Sequence, residues 1–475
     1  MTRRLTILLL TLGITALGYA QDVQRFAERQ VIGTARYVAM GGAMTAIGGD
    51  PSAALDNPAG LGLYRRSEIM LTLDETIDRT YQSGTNDRYG RSRFAAPQIS
   101  AIWSLGNPQR IRGLIYSNFM LSSNRLATYN RDIHVEGKDL QMLNTICLKT
   151  DGLPESYLQN KPWDDTEIGW LSILGYETYL INPAEDDLWT PAVTFTNGSL
   201  SISETGSYDQ YTLSWAGNIN NQWYIGLALN VPTLSYTKNV THYETNRTHS
   251  AELKSMYHLS GVGVSGSIGI IYRPIRALRI GASFLTPTTM SLSVQTESDM
   301  NTRINGQSYT LLTPASGVIS SDITSPLRSS VSLAAQIGNE GMIAVQYDYT
   351  HAIKGKDADF APMDDVHTLR IGAEAQAYRR LFINAGYVYE SSFRQDDPVW
   401  VLAYNEIRTD MDYRYTTYSQ YASLGLGYRG DAVVAQVAYQ YRWQNIHQYA
   451  TELQLTQMDL LSQTHRIVAS LAWRF

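Results

Sequence analysis

The sequence predicts an all-β chain: a 14-stranded antiparallel transmembrane β-barrel with long extracellular loops, preceded by a compact N-terminal segment. Three observations lead there. Segments in which apolar and polar residues alternate recur along most of the 475 residues, and alternation marks a strand whose two faces meet different surroundings. The links between these segments are by turns very short and long, which sorts the short turns to one rim. After residue 20 no apolar run approaches the roughly 18 residues of a membrane helix, so a membrane-embedded chain of this kind must cross with strands.

Composition narrows the function classes. Charged residues make up 17% and the formal charge is −6, so no basic surface exists for nucleic acid. The single cysteine, Cys147, allows neither an internal disulfide nor a CxxC site. The eight histidines form no HExxH or HxH pattern, so neither metal nor cofactor is expected. Gly261-x-Gly263-x-x-Gly266 has the letters of a dinucleotide fingerprint, but strand alternation continues where a helix would have to begin. GGAMTAIGG at 41–49 lacks the GK[ST] ending of a phosphate loop. His367 and His465 fall on the outward parity without the serine partner of a lipolytic site, and read as interfacial residues. No catalytic residue and no enzyme are expected.

Taken in order, residues 1–20 read as a secretory signal. Arg3 and Arg4 are the basic start, Leu5 to Leu17 the apolar stretch, and Gly18-Tyr19-Ala20 the small residues before the cut. Residues 21–66 are rich in Gly and Ala and hold no long alternating strand; they read as a small folded plug or cap. Residues 67–475 read as the barrel. Strands are expected at 67–77, 95–105, 110–121, 205–217, 221–236, 257–273, 276–294, 325–338, 341–351, 366–377, 381–391, 418–429, 431–443 and 464–475. Short turns such as GNPQR (106–110), NINN (218–221), RPIR (273–276), GNEG (338–341) and RGD (429–431) all fall on the rim that holds Phe475.

The faces agree with that count. Val433, Ala435, Val437, Tyr439 and Tyr441 oppose Gln436, Gln440 and Arg442. Tyr and Trp near strand ends suit aromatic girdles. Arg370 and Glu374 share a luminal face, with Asp348 on the preceding strand. Two readings stand: an ion-pair lattice that pins the plug or hydrates the lumen, or a cation waiting for a ligand carboxylate. The link 122–204 reads as one large extracellular loop with short amphipathic helices near 138–148 and 162–181. There Ile168, Leu171 and Leu174 have helical spacing and either pack on one another or form a first capture surface for a greasy ligand. The last strand, THRIVASLAWRF, ends on the aromatic Phe475, through which the barrel-assembly machinery is the expected partner.

GTARYVAMGGAMTAIGGDPSAALDNPAGLGLYR resembles the N-terminal hatch of FadL-type outer-membrane transporters of long-chain fatty acids and other hydrophobic compounds, most of all a branch common in the Bacteroidetes. RPIRALRIGASFLTP (273–287), SPLRSSVSLAAQIGNEGMIAVQYDYTH (325–351) and HTLRIGAEAQAYRRLFINAGYVYES (367–391) extend the resemblance along the barrel. It implies a hatch inside a fourteen-stranded barrel in the bacterial outer membrane, among lipid and lipopolysaccharide. It implies passive movement of a fatty-acid-like ligand from an outer groove to a luminal pocket, released by hatch movement or beside a kinked strand. The hatch candidates are Gly41, Gly42, Asp50, Asn57, Pro58, Ala59 and Gly60. Asn57, held extended by Pro58, is expected to bond hatch backbone to barrel wall. The alternatives are a binding or assembly platform accessory to secretion, or a haemin receptor.

Overall fold

The computed structural model describes residues 29–475 except 83–87, 108, 111, 139, 166–167, 316–318, 339, 352–363, 393–406 and 452–456. The expected signal at 1–20 lies outside the described residues. Eighteen paired segments make fourteen barrel strands, because three strands are interrupted. The strands are β1 (Glu68–Gln82), β2 (Arg88–Gly106), β3 (Leu114–Thr128, continued by Arg131–Gly137), β4 (Asn197–Ile219) and β5 (Trp223–Thr245). They continue with β6 (Ser250–Ile275), β7 (Leu278–Leu285 and Thr289–Ile304) and β8 (Gln307–Leu312, Ile319–Thr324 and Leu327–Ile337). The last six are β9 (Gly341–His351), β10 (Val366–Tyr378), β11 (Leu381–Ser391), β12 (Tyr413–Arg429), β13 (Val433–Tyr449) and β14 (Gln457–Arg474). Pro287 and Pro326 sit in two of the breaks, where a missing N–H interrupts the ladder.

Every neighbour pair is antiparallel, and β14 returns to pair with β1 from Glu68↔Arg474 to Gln82↔Leu460. Closure leaves no end strand with a bare row of amides, the condition for crossing lipid with sheet. Side chains sort as the period of two requires. Leu71, Trp103, Leu213, Leu227, Val264, Leu333, Leu426, Leu471 and Trp473 are exposed on the outside. Their neighbours Thr72, Gln98 and Ser470 are buried inside, where the Thr72 hydroxyl lies 2.9 Å from Gln98 and 2.8 Å from Ser470. An apolar exterior around a polar interior is a barrel built for a bilayer.

Several strands outrun the sequence expectation at their outer ends. β4 begins at Asn197 rather than 205, β5 runs to Thr245 rather than 236, and β6 begins at Ser250 rather than 257. Beyond the lipid the outward face need not be greasy, as Ser201, Ser203, Thr237 and Lys254 show, so alternation fades while backbone pairing continues. The expected loop 122–204 is corrected accordingly: β3 reaches Gly137 and the loop proper spans 138–196.

Residues 31–64 are almost wholly buried within the cylinder. They form α1 (Ala35–Ala39), α2 (Ala53–Asp56) and a 3₁₀ turn (Pro58–Leu63). Thr34 caps α1 by accepting from Tyr37 N. The outer loop adds α3 (Met142–Thr150), α4 (Glu155–Leu158), α5 (Trp170–Glu177) and a small ribbon of Ile181–Pro183 with Trp189–Pro191.

Candidate functional site: a lumen filled from within

The wall makes room for the N-terminal segment with glycines. A Cβ on Gly226 would strike Pro58 and Ala59, on Gly269 Asn57, on Gly281 Thr45 and Ala46, on Gly372 Met40, and on Gly386 Met40 and Gly41. The segment answers with its own glycines: Gly41 and Gly42 have φ of 60° and 69°, where a side chain is strained. Gly60 lies against Gly48, so close that a Cβ on either would meet the other's backbone.

Directional bonds then fix the segment. Ala35 N donates to Ser470 Oγ at 2.8 Å and Thr45 N to Gln346 Oε1 at 3.0 Å. Asn57 is extended, with φ −140° and ψ 103°. Its Nδ2 donates to Thr45 O at 2.9 Å and to Ile270 O of β6 at 3.2 Å, while its Oδ1 accepts from Ala59 N. One side chain thus joins two parts of the segment to the wall, with Pro58 opening the turn that follows. Asp50 stays inside the segment, accepting from Thr34 Oγ1 and Ser52 N.

The luminal charges form a lattice. Arg370 Nε and Arg328 Nη2 meet Asp348 Oδ2 at 2.7 and 2.9 Å, and Arg370 Nη1 donates to Tyr37 OH at 3.2 Å. Tyr37 OH donates to Asp56 at 2.5 Å. Glu374 receives Arg36 at 2.7 Å and also Arg429. Arg370 is 1% exposed. Of the two readings of these residues, the geometry supports the pinning lattice, and the reading of Arg370 as an open cation for a ligand is corrected.

Outward of the segment the lumen has two sides. One is closed by a buried apolar cluster that holds Leu55, Leu126, Leu234, Leu259, Leu292 and Val294. The other is a polar cavity in which Arg131, Arg414, Arg442 and Arg466 face Asp78 and Glu204. Glu204 links the two, accepting from Tyr236 OH at 2.6 Å and pairing with Arg414 at 2.8 Å.

A strap at 407–412 roofs this space from the outer side. Lys238 Nζ, 2% exposed, meets Asp410 at 2.8 Å and Asp412 at 2.6 Å. Arg408 lies 4.1 Å over the Tyr257 ring and 2.8 Å from Asp410, and Thr409 bonds Ser255 and Ser298. Burial pushes the Asp410 carboxyl up, but Arg408 and Lys238 outweigh it and hold the group well below the usual carboxylate range. Above the strap, Ile168, Leu171 and Leu174 are buried with Ile146, Met300 and Met411. The capture-surface reading is therefore corrected at these three residues: they are the core of the loop cap and present no open apolar face. In the same cap, burial pushes the Cys147 thiol up to about 12.

Among the described residues the wall has a break beside a kinked strand, a feature the resemblance implied without saying which strand. β2 and β3 pair from Gln98↔Asn124 to Gly106↔Tyr116 and not above. Above that point β2 stays with β1, while β3 kinks at 125–127 and follows β4. The freed edge of β3 bonds the N-terminal segment instead, through Gln30 N to Leu126 O at 3.0 Å and Gln30 Nε2 to Thr128 O at 3.1 Å. Among the described residues no cluster of His, Cys, Asp and Glu is arranged to hold a metal ion.

A closed, lipid-facing barrel whose lumen is filled by its own N-terminal segment defines an outer-membrane β-barrel. No protein-family model and no curated protein matches the sequence. Solved structures do match in fold. A Pseudomonas aeruginosa FadL homologue aligns with a TM-score of 0.55 at 10% identity, over 94% of this chain and 99% of that one. The Pseudomonas putida toluene transporter TodX aligns at 0.52 and 12%, over 94% and 99%. The monoaromatic hydrocarbon channel CymD aligns at 0.51 and 12%, with the same coverage. The fold is that of the FadL-type outer-membrane transporters.

Proposed function

We propose that the protein is a passive outer-membrane channel for hydrophobic small molecules of fatty-acid-like character, with the N-terminal segment as its gate. The observation that carries this is the two-sided filling of the lumen beyond that segment: a packed apolar cluster around Leu55, Leu259 and Leu292 beside an arginine-lined cavity. An amphiphile that parts this cluster as the segment moves can bury its chain there, gaining roughly 0.8 kcal/mol per buried methylene, and set its polar end in the arginine-lined cavity. Two of the structural neighbours, a toluene transporter and a monoaromatic hydrocarbon channel, favour a greasy cargo. Asn57, Pro58, Ala59, Gly41, Gly42, Gly60 and Asp50 belong to the gate, and the break between β2 and β3 is the side exit it controls through Gln30.

The test is transfer of labelled dodecanol and dodecanoate into liposomes carrying the full chain. Leu259→Asp places a charge in the apolar cluster and is expected to cut transfer of both probes about tenfold, with heat-modifiable electrophoretic mobility showing that the barrel still folds. Transfer no faster than in protein-free liposomes, or unaltered by the substitution, would refute the reading.

A further inference from the structure

The break in the wall carries a second observation. In register, Thr76, Asp78 and Thr80 of β1 lie opposite Arg93, Arg91 and Tyr89 of β2, so these β2 side chains take the inner parity. The Arg91 side chain is 38% exposed, at a level where β2 and β3 share no ladder and the outer part of β3 reaches β2 through side chains, Asp132 at Arg91 and His134 at 5.3 Å from Tyr89. The level is also defined. On the outer face of β2 the exposed Phe94 is the last large apolar residue before Ser92, and on β1 Leu73 gives way to Glu75, Ile77 and Arg79, where polar residues begin to alternate with apolar ones. The opening therefore stands where the hydrocarbon belt ends and headgroups begin.

Arg91 and Arg93 at the opening are held loosely, with Asp78 across the strand pair from Arg91 and with Asp74 and Asp209 near Arg93 but outside ion-pair distance. Arg91 has Asp132 at a loose 3.7 Å, and Arg125 is held by Asp209 at 2.9 Å. Among the described residues Arg93 has no carboxylate partner. A groove outside the opening is lined by Arg91, Ser92, Arg93, Asn130, Ser207 and Ser235. Asn130 also lines the luminal cavity that holds Arg131, Arg442 and Arg466. Guanidinium groups thus run from the lumen to the lipid-facing mouth with one asparagine between them.

We propose that Arg91 and Arg93 form an anion-binding site at this mouth, which takes the carboxylate or phosphate head of an amphiphile at the depth of the outer-leaflet headgroups. A planar guanidinium grips either oxyanion with paired N–H donors. The anion has two sources: cargo leaving the lumen, which rests on the channel reading above, and a resident outer-leaflet lipid, which does not. The site makes the side opening selective by head charge and not by chain alone.

The experiment uses the full chain with Arg91→Gln/Arg93→Gln and, as charge rescue, Arg91→Lys/Arg93→Lys. One arm compares dodecanoate with dodecanol transfer into liposomes; the other counts phosphate-bearing lipids kept through purification by native mass spectrometry. If the anion is cargo, the Gln pair slows dodecanoate about five- to tenfold, leaves dodecanol unchanged, and the Lys pair restores most of the loss. If it is a lipid, retained phosphate lipid falls to the same extent in the Gln pair alone. Retained lipid unchanged, with the two probes affected equally or not at all, overturns the site. Should the wild-type chain carry neither probe, the channel reading falls while the lipid arm still tests the site.

Discussion

At Glu374 two arginines from distant parts of the chain meet one carboxylate: Arg36 of the N-terminal segment and Arg429 of β12. Removing the carboxylate leaves a buried cation, Arg36, facing a partly exposed one, Arg429. Breaking a buried pair in this way costs about 3–5 kcal/mol. Glu374→Ala is expected to lower unfolding stability in denaturant by about 3 kcal/mol, and Arg36→Met added to it should recover part of the loss. Equal stability of wild type and single variant would mean that the lattice is hydrated and does not pin the segment. The sequence placed Asp348, Arg370 and Glu374 on the luminal face because a strand's period is two, but it could not name Arg36, whose partner is 338 residues away. Asn57 was legible because the residue before a proline is extended and its amide must go somewhere. The wall glycines were passed over, although Gly226, Gly269, Gly281, Gly372 and Gly386 all fall on the inward parity, where a missing side chain signals close approach by another backbone.

The strands were legible where lipid enforces alternation and illegible where it does not, which is why every strand was found and the outer ends of β4, β5 and β6 were missed. Two elements could not be located from residue pattern, although the resemblance implied a kinked strand. The kink of β3 follows from backbone pairing with Gln30 in place of β2, and the strap follows from contacts between residues far apart in the chain, Lys238 with Asp410 and Ser255 with Thr409. The strap's behaviour with pH has a definite sign. Asp410 titrates well below its unfolded value, so its contribution is complete above the ordinary carboxylate range near pH 4 and is lost only as pH falls through the much lower native value. Limited proteolysis at 407–412 is therefore expected to be equally slow at pH 7 and pH 5. Lys238→Met removes the cation between Asp410 and Asp412 and should speed cleavage at both. Cleavage that rises between pH 7 and pH 5 in the wild-type chain would show that the strap is held by something other than these pairs.

For the molecule as a whole, the question is whether the cylinder needs its contents. The closed ladder from β1 round to β14 supplies the wall's backbone bonds without help from residues 29–66, save where Gln30 bonds β3 and Asn57 reaches Ile270 O. The wall's inner groups have substitutes once the segment is gone: Arg370 and Arg328 still hold Asp348, Arg429 still holds Glu374, and water can reach Ser470 and Gln346. What the segment adds is occlusion, since its backbone lies against Gly226, Gly269, Gly281, Gly372 and Gly386 around the bore. A chain lacking residues 29–64 is therefore expected to fold, with the heat-modifiable mobility of a closed barrel, and to conduct ions steadily in planar bilayers where the full chain does not. Adding Gly226→Val to the full chain should move it toward the same open state by pushing Pro58 and Ala59 off the wall. A deleted chain that fails to fold would make the segment part of the barrel's own core, while one that folds but stays closed would place the barrier in the strap and the loop cap above it.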